Sequence, residues 1–320
     1  KILLIAVSAE LVGALLLWAP FARHEGSVAR GAFQGLFHAI SAFNNAGFSL
    51  YSDNLRGFVS DAYVNLVVAT LIILGGLGFF VTLTVVARLR LGRKARLTLH
   101  TRIVLLATGL LLVSGFVAVL AMEWNNPGTL GPLTPFGKAL AAFFQSVTPR
   151  TAGFETVPYE HFHSATLMFT MLLMFIGGSP GSTAGGIKTV TFVVMVGSAW
   201  SQARGRGELT LFGRTISSRN AVQASAVALF GVLLVGAAIT VLLVTEPHLP
   251  FERTAFEAVS AFGTVGLSAG VTPLLSDSGR VVIILLMYLG RIGPLTLATA
   301  LARNVTNDEV EYPHEEVLVG

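Results

Sequence analysis

Long apolar runs alternate with short polar ones throughout the chain. Residues 2–21, 62–87, 103–122 and 221–245 are each about 20 residues or longer and nearly free of charge, Glu10 being the exception within the first. At 1.5 Å per residue each run crosses a hydrocarbon core of ~30 Å. Shorter apolar stretches at 31–43, 136–147 and 251–262 keep helical spacing, as in Phe33, Leu36, Phe37 and Ile40. Their length, ~20 Å, crosses only part of the core. A further span begins at 165–176, is interrupted at 177–186, and resumes at 187–200. The last span, 281–301, contains Arg291.

The half-length stretches share an ending. Asn45-Ala46-Gly47-Phe48, Thr151-Ala152-Gly153-Phe154 and Thr264-Val265-Gly266-Leu267 follow them in turn, and each Gly has a Phe ten residues before it (Phe37, Phe143, Phe256). The Gly-to-Gly spacings are 106 and 113 residues, so the pattern is a repeat with a period near 110 and governs how the rest is read. Each unit is span, half-helix, loop, span. The predicted fold is an all-α membrane protein of such units at 1–95, 96–205 and 206–302, followed by a tail at 303–320.

Composition fits this picture. Apolar residues make up 53% of the 320, charged ones 12%, and mean hydropathy is +0.73. Soluble domains carry about 25% charged residues. Cysteine is absent, which removes disulfides, thiolate metal sites and a Cys nucleophile. The net charge of +4 comes with two basic linkers rather than a nucleic-acid surface. Arg88, Arg90, Arg93, Lys94, Arg96 and Arg102 form one; Arg204, Arg206, Arg214 and Arg219 form the other. Short basic loops mark the cytoplasmic side. The three Gly loops then face outward, and the acidic tail lies in the cytoplasm.

Irregular backbone at membrane depth survives only where it lines water or ions, because an unpaired N–H or C=O against lipid costs several kcal/mol. Half-helices ending near mid-membrane point their negative dipole ends at a cation, and Gly allows positive φ so that carbonyls turn inward. The ion-binding candidates are therefore Asn44, Asn45, Ala46 and Gly47; Arg150, Thr151, Ala152 and Gly153; and Gly263, Thr264, Val265 and Gly266. Asn45, Thr151 and Thr264 stand in register and offer side-chain oxygens to one ring. Arg150 is out of place beside a cation path, and Glu257 on the next half-helix is its expected partner. The interruption Gly177, Gly178, Ser179, Pro180, Gly181, Ser182, Thr183, Ala184, Gly185, Gly186 reads as a flexible gate, with Lys188 and Arg291 adding positive charge near it. A phosphate loop fails there on spacing. A Ser179 hydrolase would need a His at that depth, and none of the seven His lies in a full span.

These segments, SAFNNAGF, TPRTAGF, SAFGTVGL and IGGSPGSTAGGIKT, together resemble the Trk/Ktr/HKT superfamily of potassium transporters over essentially the whole chain. The compact length and the ending YPHEEVLVG look most like the Ktr membrane subunit. The resemblance implies a potassium-channel-like fold of four units, of which 1–95, 96–205 and 206–302 would be the second, third and fourth, with a first unit upstream of Lys1. It also implies potassium uptake across the plasma membrane without chemistry on the substrate, and a Gly-rich loop that restricts the pore from the cytoplasmic side. A homodimer and a cytoplasmic nucleotide-binding ring of KtrA-type subunits would be the partners, with no nucleotide bound by this chain. Sodium often promotes uptake in such systems. A Trk-type subunit keeps the fold and changes the partner.

Overall fold

The computed structural model describes residues 2–205 and 207–292. The expected tail 303–320, the end of the last expected span (293–301) and Arg206 lie outside the described residues.

The chain folds into eleven helices among the described residues, in an order that repeats. The first set is α1 (Ile2–Glu25), α2 (Val28–Phe43) and α3 (Ala62–Leu77), with α4 (Phe79–Leu91) continuing from α3. The second is α5 (Leu99–Glu123), α6 (Pro135–Val147), α7 (Ser164–Phe175) and α8 (Thr189–Ala203). The third is α9 (Ser218–Thr245), α10 (Phe251–Gly263) and α11 (Asp277–Ile292). Among the described residues, α1, α5 and α9 are long and apolar enough to cross a membrane on their own.

Local chemistry sets the boundaries. Thr98, Thr134 and Ser217 accept from backbone N–H groups at the starts of α5, α6 and α9, and Pro135 occupies the first turn of α6, where its missing N–H costs nothing. Small residues let α1 and α5 lie close to their neighbours. A Cβ on Gly31 would lie 2.3 Å from the Ala22 backbone, and one on Gly35 2.9 Å from the Ala14 carbonyl oxygen. Gly13 and Gly115 serve the same purpose in their units: each touches its unit's short helix and a Leu of the following span (Leu71, Leu173). At the C-terminal end of α5, Glu123 is fully buried and accepts from Asn126, Thr129, Thr166 and the His163 N–H. Glu246 accepts from the Ser276 N–H and hydroxyl in the same way. Each carboxylate ties the end of one span to the start of its unit's next span.

Two features depart from the sequence expectation. The run 62–87 is not one straight span: α3 and α4 meet at Gly78 with a bend of 106°. Gly78 has φ 82° and ψ 152°, and the Phe79 N–H bonds the Gly181 carbonyl at 3.2 Å. Hydropathy does not register this break, because every residue around it is apolar or glycine. The second basic linker also holds a small hairpin, β1 (Leu209–Leu211) paired antiparallel with β2 (Arg214–Ile216). Phe212 and Gly213 make its turn, both at positive φ.

A Cβ on Gly78 would lie 2.7 Å from Ser179 Oγ and 2.9 Å from the Pro180 carbonyl oxygen. Gly78→Ala is therefore expected to cost about 1–3 kcal/mol of stability. Thermal unfolding of the detergent-solubilised protein checks this, and an unchanged midpoint would contradict it.

Candidate functional site

Helices α2, α6 and α10 end at a common place, and the loops that follow share one backbone conformation. Asn45, Thr151 and Thr264 have φ of 51°, 71° and 52°; two residues on, Gly47, Gly153 and Gly266 have φ of 72°, 80° and 89°. Left-handed backbone is rare for any residue with a Cβ and rarer for a β-branched one. Two threonines and an asparagine adopt it at matching positions, storing strain of the kind found at binding sites.

The loops touch one another without intervening side chains. A Cβ on Gly47 would lie 2.4 Å from the Ala152 carbonyl oxygen, and one on Gly153 2.2 Å from that of Val265. Gly47 and Gly153 are thus needed twice, for φ and for close approach; Gly266 is needed for φ. Each loop is held from behind by its own helix end: the Ala46 N–H bonds Ser41 O at 2.8 Å, Ala152 N–H bonds Thr148 O at 3.0 Å, and Val265 N–H bonds Ser260 O at 2.9 Å. Ser41 and Thr148 hydroxyls donate to the carbonyls of Phe48 and Phe154, closing the first two loops.

Against this bracing, three oxygens stand out. Asn45 Oδ1, Thr151 Oγ1 and Thr264 Oγ1 are buried and have no hydrogen-bond partner among the described residues. Buried polar atoms are almost always paired, so three orphans at equivalent positions need an explanation. Ala46, Ala152 and Val265 each lie between the two left-handed residues of their loop.

The segment 177–186 lies directly beneath. Its ends are joined by the Gly177 N–H to Ile187 O (2.8 Å) and the Ile187 N–H to Phe175 O (3.2 Å). Ser179 N–H bonds Gly76 O at 3.0 Å, its hydroxyl donates to Leu77 O, and Thr183 N–H bonds Gly75 O at 3.4 Å. Interrupted backbone in one unit thereby satisfies interrupted backbone in another. Upward, Asn45 Nδ2 donates to Thr183 Oγ1 at 3.1 Å, and a Cβ on Gly185 would lie 2.0 Å from Thr264 Oγ1. Gly178 packs against Ala184 and Ser182, and Gly186 takes φ 64°. Both expected cations bond this segment: Lys188 Nζ to Ala184 O at 2.6 Å, and Arg291 to Thr183 O at 2.7 Å.

Arg150 and Glu257 are not partners. Glu257 accepts from Ser268 and Thr272. Arg150 is 7% exposed; its backbone N–H bonds Val147 O, but its guanidinium has a buried, unpaired Nε and no ion-pair partner among the described residues, and it borders a cavity of about 10 Å³ with Leu112, Gly76 and Gly178, room for about one water. Hydropathy could not separate these arrangements, since both residues are buried inside the protein. Glu10 also belongs to the site: its carboxylate accepts from Asn44 Nδ2 at 2.7 Å. A charge in mid-span facing protein was the available signal. Arg56 pairs with Glu155 at 2.9 Å and ties the loops after α2 and α6 together, a contact on which the sequence is silent. Burial pushes the Glu155 carboxyl up, and Arg56 opposes that.

A model of a cation transport protein family, TrkH, matches residues 1–311. The chain belongs to the TrkH family of cation transport proteins. Curated relatives in the family include the Ktr system potassium uptake protein B of Bacillus subtilis, 43% identical over 99% of this chain and 70% of its own length. The same protein of Vibrio alginolyticus is 42% identical over 100% and 70%. The potassium/sodium uptake protein NtpJ of Enterococcus hirae is 40% identical over 100% and 71%. In fold, the chain matches the crystal structure of the potassium transporter TrkH from Vibrio parahaemolyticus with a TM-score of 0.73 at 19% identity, covering 94% of this chain and 62% of that one. The family is one of membrane transporters, not enzymes.

Because Arg150 and Glu257 do not touch, Arg150→Gln and Glu257→Gln should be additive in stability within about 0.5 kcal/mol. A double-mutant cycle of unfolding midpoints measures the coupling between them, and a coupling beyond that margin would restore the pair.

Proposed function

We propose that this chain carries potassium uptake across the plasma membrane, as the membrane subunit of a Ktr-type system. The observation that carries this reading is the set of three orphaned oxygens on strained, mutually touching loops. A dehydrated cation replaces its water shell with oxygens from the protein. Asn45, Thr151 and Thr264 side chains, with the carbonyls of Asn44–Gly47, 150–153 and 263–266, offer such oxygens at the negative ends of α2, α6 and α10.

The segment 177–186 is the gate beneath. Its backbone is held shut by the α3–α4 break on one side and by Lys188 and Arg291 on the other. Opening requires those bonds to be exchanged, which fits a segment of Gly, Ser and Thr. The loops face outward; the basic linkers and tail face the cytoplasm. K⁺ moves down its electrochemical gradient, and Na⁺ is a candidate promoter. The names of the curated relatives support potassium as cargo and a Ktr system as the setting. In that setting the chain forms a homodimer and meets a separate cytoplasmic nucleotide-binding ring, and the nucleotide binds the ring.

Flux in proteoliposomes tests the reading. Gly153→Ser should abolish K⁺ flux, since its Cβ meets the Val265 carbonyl oxygen, whereas Ser179→Ala should retain it. Arg291→Ala should raise the flux several-fold by releasing Thr183 O and removing a cation near the path. Flux surviving Gly153→Ser would overturn the filter assignment, and peptide cleavage lost with Ser179→Ala would overturn the transporter reading.

A further inference from the structure

The three loops are alike in backbone but not in charge, and the difference sits at one position. The residue before the left-handed one is Asn44, Arg150 or Gly263. In the first unit Glu10 accepts from Asn44 at 2.7 Å. Glu10 lies three residues before Gly13, where α1 packs on its short helix and on Leu71. In the second unit the matching glycine is Gly115, packed on Ser146 and Leu173, and three residues before it is Leu112, which lines the cavity beside Arg150. A carboxylate facing an amide in one unit is thus replaced by a leucine facing a guanidinium in the next. In the third unit there is no side chain: a Cβ on Gly263 would lie 2.7 Å from the Met174 carbonyl oxygen.

Arginine does not lose its proton in proteins, and a buried charge without a partner is costly. Bracing would explain Arg150 if it held a carboxylate or carbonyl, yet among the described residues it holds none. What remains is its position. The charge lies just past the C-terminal end of α6 and is adjacent in sequence to Thr151, whose oxygen is one of the three orphans. A fixed cation there cancels the pull of the α6 dipole on a passing cation.

We propose that Arg150 weakens cation binding at the loops, so that the ion leaves as readily as it enters. Conduction needs binding weak enough for release, and the first unit, with Glu10, biases the field the other way. Arg150 is then a residue that sets affinity and turnover rather than one that holds the ion. This rests on the potassium-uptake reading above.

The test is the K⁺ and Rb⁺ dependence of uptake by the intact protein in proteoliposomes, with KM and maximal rate measured separately. Arg150→Gln should lower KM on the order of tenfold, the effect of unit charges ~10 Å apart at a dielectric near 20, and should lower the maximal rate as release slows. Arg150→Lys, which keeps the charge, should restore the higher KM. Leu112→Glu leaves the arginine in place and pairs it, as Glu10 does for Asn44, and should reproduce the low KM. It also carries the test if Arg150→Gln is not recovered folded. An unchanged or raised KM in Arg150→Gln and Leu112→Glu would overturn the inference, as would failure of Arg150→Lys to rescue. Absence of flux in the wild type would instead sink the potassium reading itself.

Discussion

The structure depends on one constraint: backbone polar groups removed from water must find partners even where helices stop. This chain stops several helices within its membrane region. It meets the constraint by setting interruptions against each other. The α3–α4 break offers Gly75, Gly76 and Leu77 carbonyls, and the segment 177–186 supplies the Thr183 and Ser179 donors. Neither interruption is satisfied alone. A break in one unit is therefore stable only in the presence of a break in another, and the two must be retained together.

The same constraint explains why the loops are strained. A relaxed turn would satisfy its own oxygens locally. Holding Asn45, Thr151 and Thr264 in left-handed backbone keeps their oxygens from the nearby N–H groups, which the helix ends already occupy. The cost of a few kcal/mol per loop is borne by the packing of short helices whose buried faces are almost continuous, as in Thr254 to Gly263 of α10.

Much of this was legible in the sequence. The three half-helices, the Gly loops and the interrupted span follow from periodicity, length and glycine placement, and those signals are local. The α3–α4 bend was not legible, since Gly75-Gly76-Leu77-Gly78 in an apolar run looks like an ordinary small-residue packing face. Its meaning comes from Gly181, about a hundred residues away. Arg150 misled for a related reason: charge suggests a partner of opposite sign, and only coordinates reveal that Glu257 is already engaged by Ser268 and Thr272. Side-chain pairing across units leaves no trace in a single sequence.

The bond from Phe79 N–H to Gly181 O joins the first residue of α4 to the middle of the interrupted segment. Helix α4 leaves α3 at a bend of 106° and carries Arg88 and Arg90 in its last turn. The bend at Gly78 and this one bond thus connect the basic end of α4 to the segment 177–186 without passing through the loops at 45–47, 151–153 and 264–266. A substitution on α4 can therefore reach the segment 177–186 while leaving the backbone of those three loops untouched.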